Sequence, residues 1–254
     1  MDEAAIQAHV RAINDCNQRG GRMLSLVDLI DAGTVDLPLA AYLAAAMRAG
    51  ASLLVGAQPG GAGKTTVMCA LLNFLPDPTT IRVVDSPAVL AGAQRDNHPG
   101  HTCYLAHEIN NAPYYAYIWG QEARTFFALG AQGHIIASNL HADTPQETQD
   151  LVCGQYGVGR PHLDAVTLKI YLRLERTGGW SAQRRVSHVY ENDGKQDRLL
   201  WTSQGGMFTR QGPGNSALVS PEQEKEYAGF LTTLIQQDIR HIEDVRRMLI
   251  QRKA

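Results

Sequence analysis

One stretch limits the fold more than any other. It is Ser52-Leu53-Leu54-Val55-Gly56 followed by Ala57-Gln58-Pro59-Gly60-Gly61-Ala62-Gly63-Lys64-Thr65-Thr66. A short apolar run of strand character leads into a glycine-rich turn, after which Val67, Leu71 and Leu75 recur at helical spacing. Strand, glycine turn and helix in this order are the setting of a phosphate-binding loop, whose pattern is G-x-x-x-x-G-K-[ST]. Gly60, Gly61 and Gly63 let backbone N–H groups turn inward around phosphate oxygens, and the helix N-terminus adds positive potential. Lys64 is placed to reach the outer phosphates, and Thr65 to set its hydroxyl on Mg²⁺. The candidate nucleotide-binding residues are therefore Gly60, Gly61, Ala62, Gly63, Lys64, Thr65 and Thr66. The first pattern position is Gln58 rather than glycine. If that position needs a positive φ, glutamine costs about 1 kcal/mol there.

Composition narrows the function classes. The chain has 254 residues, 44% of them apolar, enough for one large core, and a formal net charge of −2. That balance, with no basic stripe, argues against a nucleic-acid partner. No apolar run approaches the roughly 18 residues that span a bilayer. The start, Met1-Asp2-Glu3, is acidic and lacks the apolar core of a signal peptide, so the expectation is a cytoplasmic protein. Cys16, Cys69, Cys103 and Cys153 are scattered and read as reduced, mostly buried thiols. His98, His101, Cys103 and His107 lie close together but lack a recognised metal-ligand spacing.

The rest of the chain alternates strands and helices. Ile6, Val10 and Ile13 form one helical stripe. Ser25 and Asp28 stand at capping-box spacing before a helix that Gly33 stops, and Asp36, Pro38 and Gly50 bracket a third helix. After the loop helix, Ile81–Asp85 reads as a strand, Thr102–Leu105 as another, and Tyr114–Trp119 as a β-rich run. Glu122–Ala131 is helical, His134–Asn139 a strand, and Thr144–Cys153 a helix with Thr144 and Glu147 as a second capping box. This is the pattern of an α/β fold, a mostly parallel sheet covered on both faces. From Val166 onward the residues alternate strictly, with Val166, Leu168, Ile170, Leu172 and Leu174 on one face and Thr167, Lys169, Tyr171, Arg173 and Glu175 on the other. With Gly178-Gly179 and Asn192-Asp193-Gly194-Lys195 as turns, it reads as an antiparallel meander with one wet face. Ser220 to Gln223 caps a C-terminal helix, and Ile242–Gln251 forms another. The expected organisation is an N-terminal helical segment (1–50), a core (51–165), the meander (166–212) and a C-terminal helical segment (213–254).

The stretch from Met23 through the loop to Pro76 resembles the secretion-motor ATPase superfamily, which serves type II and type IV secretion, type IV pili and Tad/Flp pili. Glu122–Glu147, with Gly133-His134 and then Asn139-Leu140-His141-Ala142, resembles the family's run up to its histidine box, and Phe230–Leu249 resembles the C-terminal helices of Tad-type and archaeal members. The resemblance implies a RecA-like ATPase domain that binds ATP and Mg²⁺. It would assemble as a ring, usually a hexamer, and move against an inner-membrane platform protein from the cytoplasmic side. His141 would then be the γ-phosphate sensor. Asp85 stands at the first acid of the family's acidic box, Ser86 and Val89 replace the other two, and Asp85 would orient the attacking water.

Two departures stand out. The family's Walker B motif is an apolar strand, then Gly-Glu-[IV]-Arg, and Tyr114–Arg124 reads as its counterpart. Aligned on the strand end, Gln121 takes the glutamate's place; aligned on the following helix, Tyr117 does. Gln121 could hold a metal-bound water but cannot take a proton, whereas a shift of one residue brings Glu122 into the role. The family also carries an N-terminal domain that contributes arginines, where this sequence has only Met1 to Arg22; Arg11, Arg19 and Arg22 read first as surface residues, with partial substitution as the alternative. These departures leave two expectations open: an active motor, or a weakened paralogue that regulates or co-assembles with a full-length ATPase.

Overall fold

The computed structural model describes residues 3–17, 20–95, 100–176, 182–211 and 216–252. Three helices come first: α1 (Glu3–Asn14), α2 (Leu26–Asp31) and α3 (Leu37–Arg48). Their ends follow the local chemistry. Ser25 and Asp28 form a reciprocal capping box, Asp36 accepts from Leu39 N, and Gly33 and Gly50 take the positive φ that ends each helix. The alternating part comes next as β1 (Leu53–Gly56), α4 (Lys64–Leu72), β2 (Thr80–Val83), α5 (Pro87–Ala93), β3 (Thr102–Leu105), β4 (Glu108–Ile109), β5 (Tyr117–Ile118), α6 (Gly120–Ala131), β6 (Ile135–Leu140), α7 (Pro145–Gln149) and α8 (Arg160–Asp164). Between α7 and α8 the chain takes a π-helical turn over Asp150–Gln155. The last part is β7 (Leu168–Arg176), β8 (Ala182–Asn192), β9 (Asp197–Gln204), β10 (Met207–Arg210), α9 (Pro221–Gln236) and α10 (Ile242–Gln251).

Eight strands form one sheet in the order β10-β9-β8-β7-β1-β6-β3-β2. The pairs from β7 to β2 are parallel, and β8, β9 and β10 continue the sheet antiparallel. Strand β1 is wholly buried because both neighbours pair with it and helices cover both faces. Alternate residues feed two cores. Leu53, Val55, Cys103, Leu105, Ala137 and Ile170 face α1 to α4 and the C-terminal helices, while Leu54, Tyr104, Ile136 and Tyr171 face α5, α6 and α8. The first and last helices meet on one face, where α3 lies against α9 and α1 against α10.

Three local expectations are corrected. Tyr114–Trp119 is not a core strand: only Tyr117 and Ile118 pair, with β4 in a separate two-stranded sheet, and Ala116 just before them has a φ of 55°. The outer face of β7 is not wet along its first half, since Lys169 and Tyr171 are each 1% exposed. Lys169 ion-pairs with Asp197 at 2.5 Å, and the Tyr171 hydroxyl meets Thr148 of α7 at 2.7 Å. Thr144 does cap α7, but Glu147 does not return the bond; its Oε2 accepts from Asp143 N instead. The Gly178-Gly179 turn lies outside the described residues. No helix among those described is long and apolar enough to cross a membrane.

Candidate functional site

The loop between β1 and α4 leaves the sheet at the carboxyl ends of the parallel strands, where open α/β sheets hold ligands. Gly56 must be glycine, because a Cβ there would lie 2.4 Å from Ala142 O and 2.7 Å from the Tyr171 ring. The loop turns on Gly61 (φ 79°) and Gly63 (φ 95°), both closed to ordinary side chains. Gln58 is not among the positive-φ residues, so the strain expected at that position does not arise. Its bonds tie the loop to the far wall instead. Gln58 N donates to Asp143 Oδ1 at 2.8 Å, and its side-chain Nε2 to Glu147 Oε2 at 3.1 Å.

Gly63 ends the loop as the N-cap of α4, and with no side chain it leaves the first-turn N–H groups uncapped. Lys64 is 8% exposed and donates to Ala57 O at 3.1 Å. Burial pulls its ammonium below the usual lysine value, and the charges of Glu108 and Asp143 act the other way. Beside it, Asn139 of β6 donates to the Thr65 hydroxyl at 3.3 Å and to His107 O at 2.8 Å. Asn139 Oδ1 is buried with no hydrogen-bond partner among the described residues. Uncapped N–H groups, a buried ammonium, a helix-start hydroxyl and an orphaned amide oxygen suit a phosphate chain with a hard cation. Among these, Lys64 would hold phosphate and Thr65 the cation.

Glu108 completes the cluster. Strand β3 lies between β2 and β6, and the chain leaving its carboxyl end turns toward the loop. Glu108 Oε2 lies 3.9 Å from Lys64 Nζ, and its Oε1 lies 2.9 Å from His141 Nε2 and accepts from Asn110 Nδ2 at 3.2 Å. The other imidazole nitrogen, His141 Nδ1, is 2.9 Å from Gln58 O. A carbonyl only accepts, so Nδ1 is the nitrogen that donates to Gln58 O, and Nε2 is left facing the Glu108 carboxyl. His141 thus links the backbone of the loop to Glu108, next to Lys64.

The expected site residues divide accordingly. Gly60 through Thr66 lie on the loop and the start of α4, with Ala62 turned into the core, and His141 is beside them. Asp85 is exposed just past β2, three strand spacings or roughly 14 Å from β1. There it faces the Tyr115 hydroxyl, whose pKa is raised by burial first and the Asp85 charge second. Gln121 and Glu122 are in the first turn of α6. Gln121 accepts from Arg124 at 2.9 Å and 3.1 Å, and Glu122 makes no ion pair among the described residues. Of the N-terminal arginines, Arg22 is bound to Asp28 and Arg240 O, and Arg19 lies outside the described residues. Glu108 and Asn139 were missed by reading the sequence. A signal for Glu108 was present: Thr102–Leu105 is an apolar strand, and an acid and a β-branched residue, Glu108-Ile109, come after it, much as in the motif sought further along.

The strand order β7-β1-β6-β3-β2, with a phosphate loop between its central strand and the next helix, makes this a RecA-like P-loop fold that ends in an antiparallel extension and two helices. No protein-family model matches the sequence, and no curated protein matches it either. Among solved structures, the chain is similar to the VirB11 ATPase of the Brucella suis type IV secretion system, solved with sulphate. The TM-score is 0.47 and the identity 21%, over 65% of this chain and 54% of that one. It is also similar to the Legionella pneumophila ATPase DotB, with a TM-score of 0.42 and 11% identity over 86% of this chain and 59% of that one. The chain therefore spans little more than half the length of either, and the strand order rather than these similarities defines the fold class.

Proposed function

We propose that this chain binds and hydrolyses ATP with Mg²⁺, as a motor component of a type II or type IV secretion or Tad/Flp-like pilus system. The observation that supports turnover is the placement of Glu108 between Lys64 and His141. The backbone N–H groups of Gly60 to Thr66 line the phosphates, and Lys64 exchanges Ala57 O for a phosphate oxygen. Thr65 would hold the metal, which would supply positive charge to offset that of the phosphates. Glu108 accepts the proton of the attacking water and gives it up to the departing phosphate, and His141 keeps that carboxylate oriented. The loop around this cluster stays in register because Gln58 is bonded to Asp143 and Glu147.

In the same reading the chain works as a ring, with a hexamer as the expected size, on the inner face of the cell membrane against a platform protein. The sequence resemblance supports this part. The test is phosphate release by the purified chain with Mg-ATP, with Lys64→Ala as the comparison. Release that disappears in the variant is the expected result. Tight nucleotide binding with no release, alone or with added platform protein, would favour the regulatory paralogue that co-assembles with a full-length ATPase. Absence of nucleotide binding would overturn both.

A further inference from the structure

The β7–β8 hairpin extends beyond the sheet edge. Strand β1 ends at Gly56, opposite Tyr171, while β7 runs on to Arg176 and β8 returns from Ala182. This overhang stands against the flank of the phosphate loop. Arg184 of β8 reaches the loop directly, its Nε donating to Gly61 O at 2.8 Å. Its Cδ lies 3.2 Å from where a Cβ on Gly63 would be, and Leu172 Cδ2 lies 3.8 Å from the same point. A loop residue larger than glycine would push this arginine away.

The arginines around it are committed elsewhere. Arg185 is 7% exposed, and it donates to Glu175 Oε2 at 2.8 Å and to Gly33 O at 2.6 Å. Arg173 pairs with the same Glu175. Arg184 is exposed, has no carboxylate partner among the described residues, and spends only its Nε on the loop. A guanidinium presents its donors as a planar fork, so the two terminal nitrogens stay available for an oxyanion beside Gly61.

We infer that Arg184 is a phosphate-contacting residue of this site. Its Nε is anchored on the loop and its terminal nitrogens face the phosphate chain of a bound nucleoside triphosphate. The assignment rests on the nucleotide-site reading of the loop. It supplies from within the chain the arginine that the sequence suggested near its start.

The test is equilibrium binding of a fluorescent ATP analogue with Mg²⁺ to the full chain, for wild type, Arg184→Ala, Arg184→Gln, Arg184→Lys and Lys64→Ala. Glutamine keeps a donor for Gly61 O but no charge; lysine keeps the charge. Expected is a loss of about tenfold in affinity for both the alanine and glutamine variants, largely restored by lysine and shrinking as salt is raised. Unchanged melting temperatures would set this loss apart from a folding defect, since the side chain is exposed. Wild-type affinity in Arg184→Gln would overturn the assignment and leave only a clip on the loop. If Lys64→Ala bound as well as wild type, the nucleotide-site reading itself would fall and take the assignment with it.

Discussion

His141 and Gln58 determine how the acid beside Lys64 is held. The His141 ring spans Gln58 O and Glu108 Oε1 at 2.9 Å each, so it fixes the carboxylate without touching the backbone N–H groups of the glycine turn. Removing it in His141→Ala is expected to lower kcat between about 10- and 100-fold while ATP affinity changes little. A rise in KM with unchanged kcat would place the histidine on the nucleotide instead. Gln58, the residue that breaks the expected loop pattern, takes no strained conformation and bonds across the cleft through both its N–H and its side chain. Local pattern carries no hint of that role, because Asp143 and Glu147 come some 85 residues later and only the sheet brings them near.

At the scale of elements, α4 is held at both ends, by the loop at its start and by side chains at its finish. Arg246 of α10 is fully buried and donates to Asn73 O at 2.9 Å and Leu75 O at 2.7 Å. Arg48 of α3 donates to Leu75 O, and His9 of α1 sits 3.1 Å from Leu72 O. Cations and donors at a helix C-terminus satisfy its free carbonyls and favour its dipole. Arg246→Ala leaves the Asn73 carbonyl without its donor and empties the space of a fully buried side chain, and is expected to cost about 2–4 kcal/mol in urea unfolding. Arg247→Ala, next to it but paired only with Glu3 and Asp244 at the surface, should leave the midpoint where it is. Equal losses in the two variants would contradict this assignment.

The same end of the helix carries a pH dependence. Burial, and then the charge of Arg246, push His9 down to about 3, so it is neutral in the folded chain. Below about pH 6.5 the unfolded chain binds a proton that the folded one refuses, so stability falls toward pH 3 by up to about 1.4 kcal/mol per unit. Urea midpoints at pH 7.5 and 5 should differ less for His9→Gln, which keeps a donor for Leu72 O but does not titrate. Parallel losses in the two proteins would assign the dependence to other groups.

For the whole molecule, the helices and the central strands were legible because each is a local pattern. Capping boxes, glycine stops and apolar runs mark where α2, α3, β1 and β6 begin and end. Contacts that depend on strand order were not legible. Tyr114–Trp119 is aromatic and strand-like, yet Tyr114 and Tyr115 are 66% and 52% exposed and the stretch stays outside the main sheet. The acid at the loop comes instead from the end of β3, a strand set beside β6 by parallel crossovers and not by any neighbour in sequence. Lys169 and Tyr171 looked solvent-facing by alternation, and α7 with the chain at Asp197 covers them. The central claim is that Glu108 activates water at a working ATP site. The direct measurement is to mix Mg-ATP with wild type, Glu108→Gln and Glu122→Gln, isolate the protein, and identify the nucleotide that remains. Glu108→Gln should retain unhydrolysed ATP and release phosphate at least about 100-fold more slowly, with Glu122→Gln close to wild type. Wild-type turnover in Glu108→Gln, or its loss in Glu122→Gln alone, would contradict the claim.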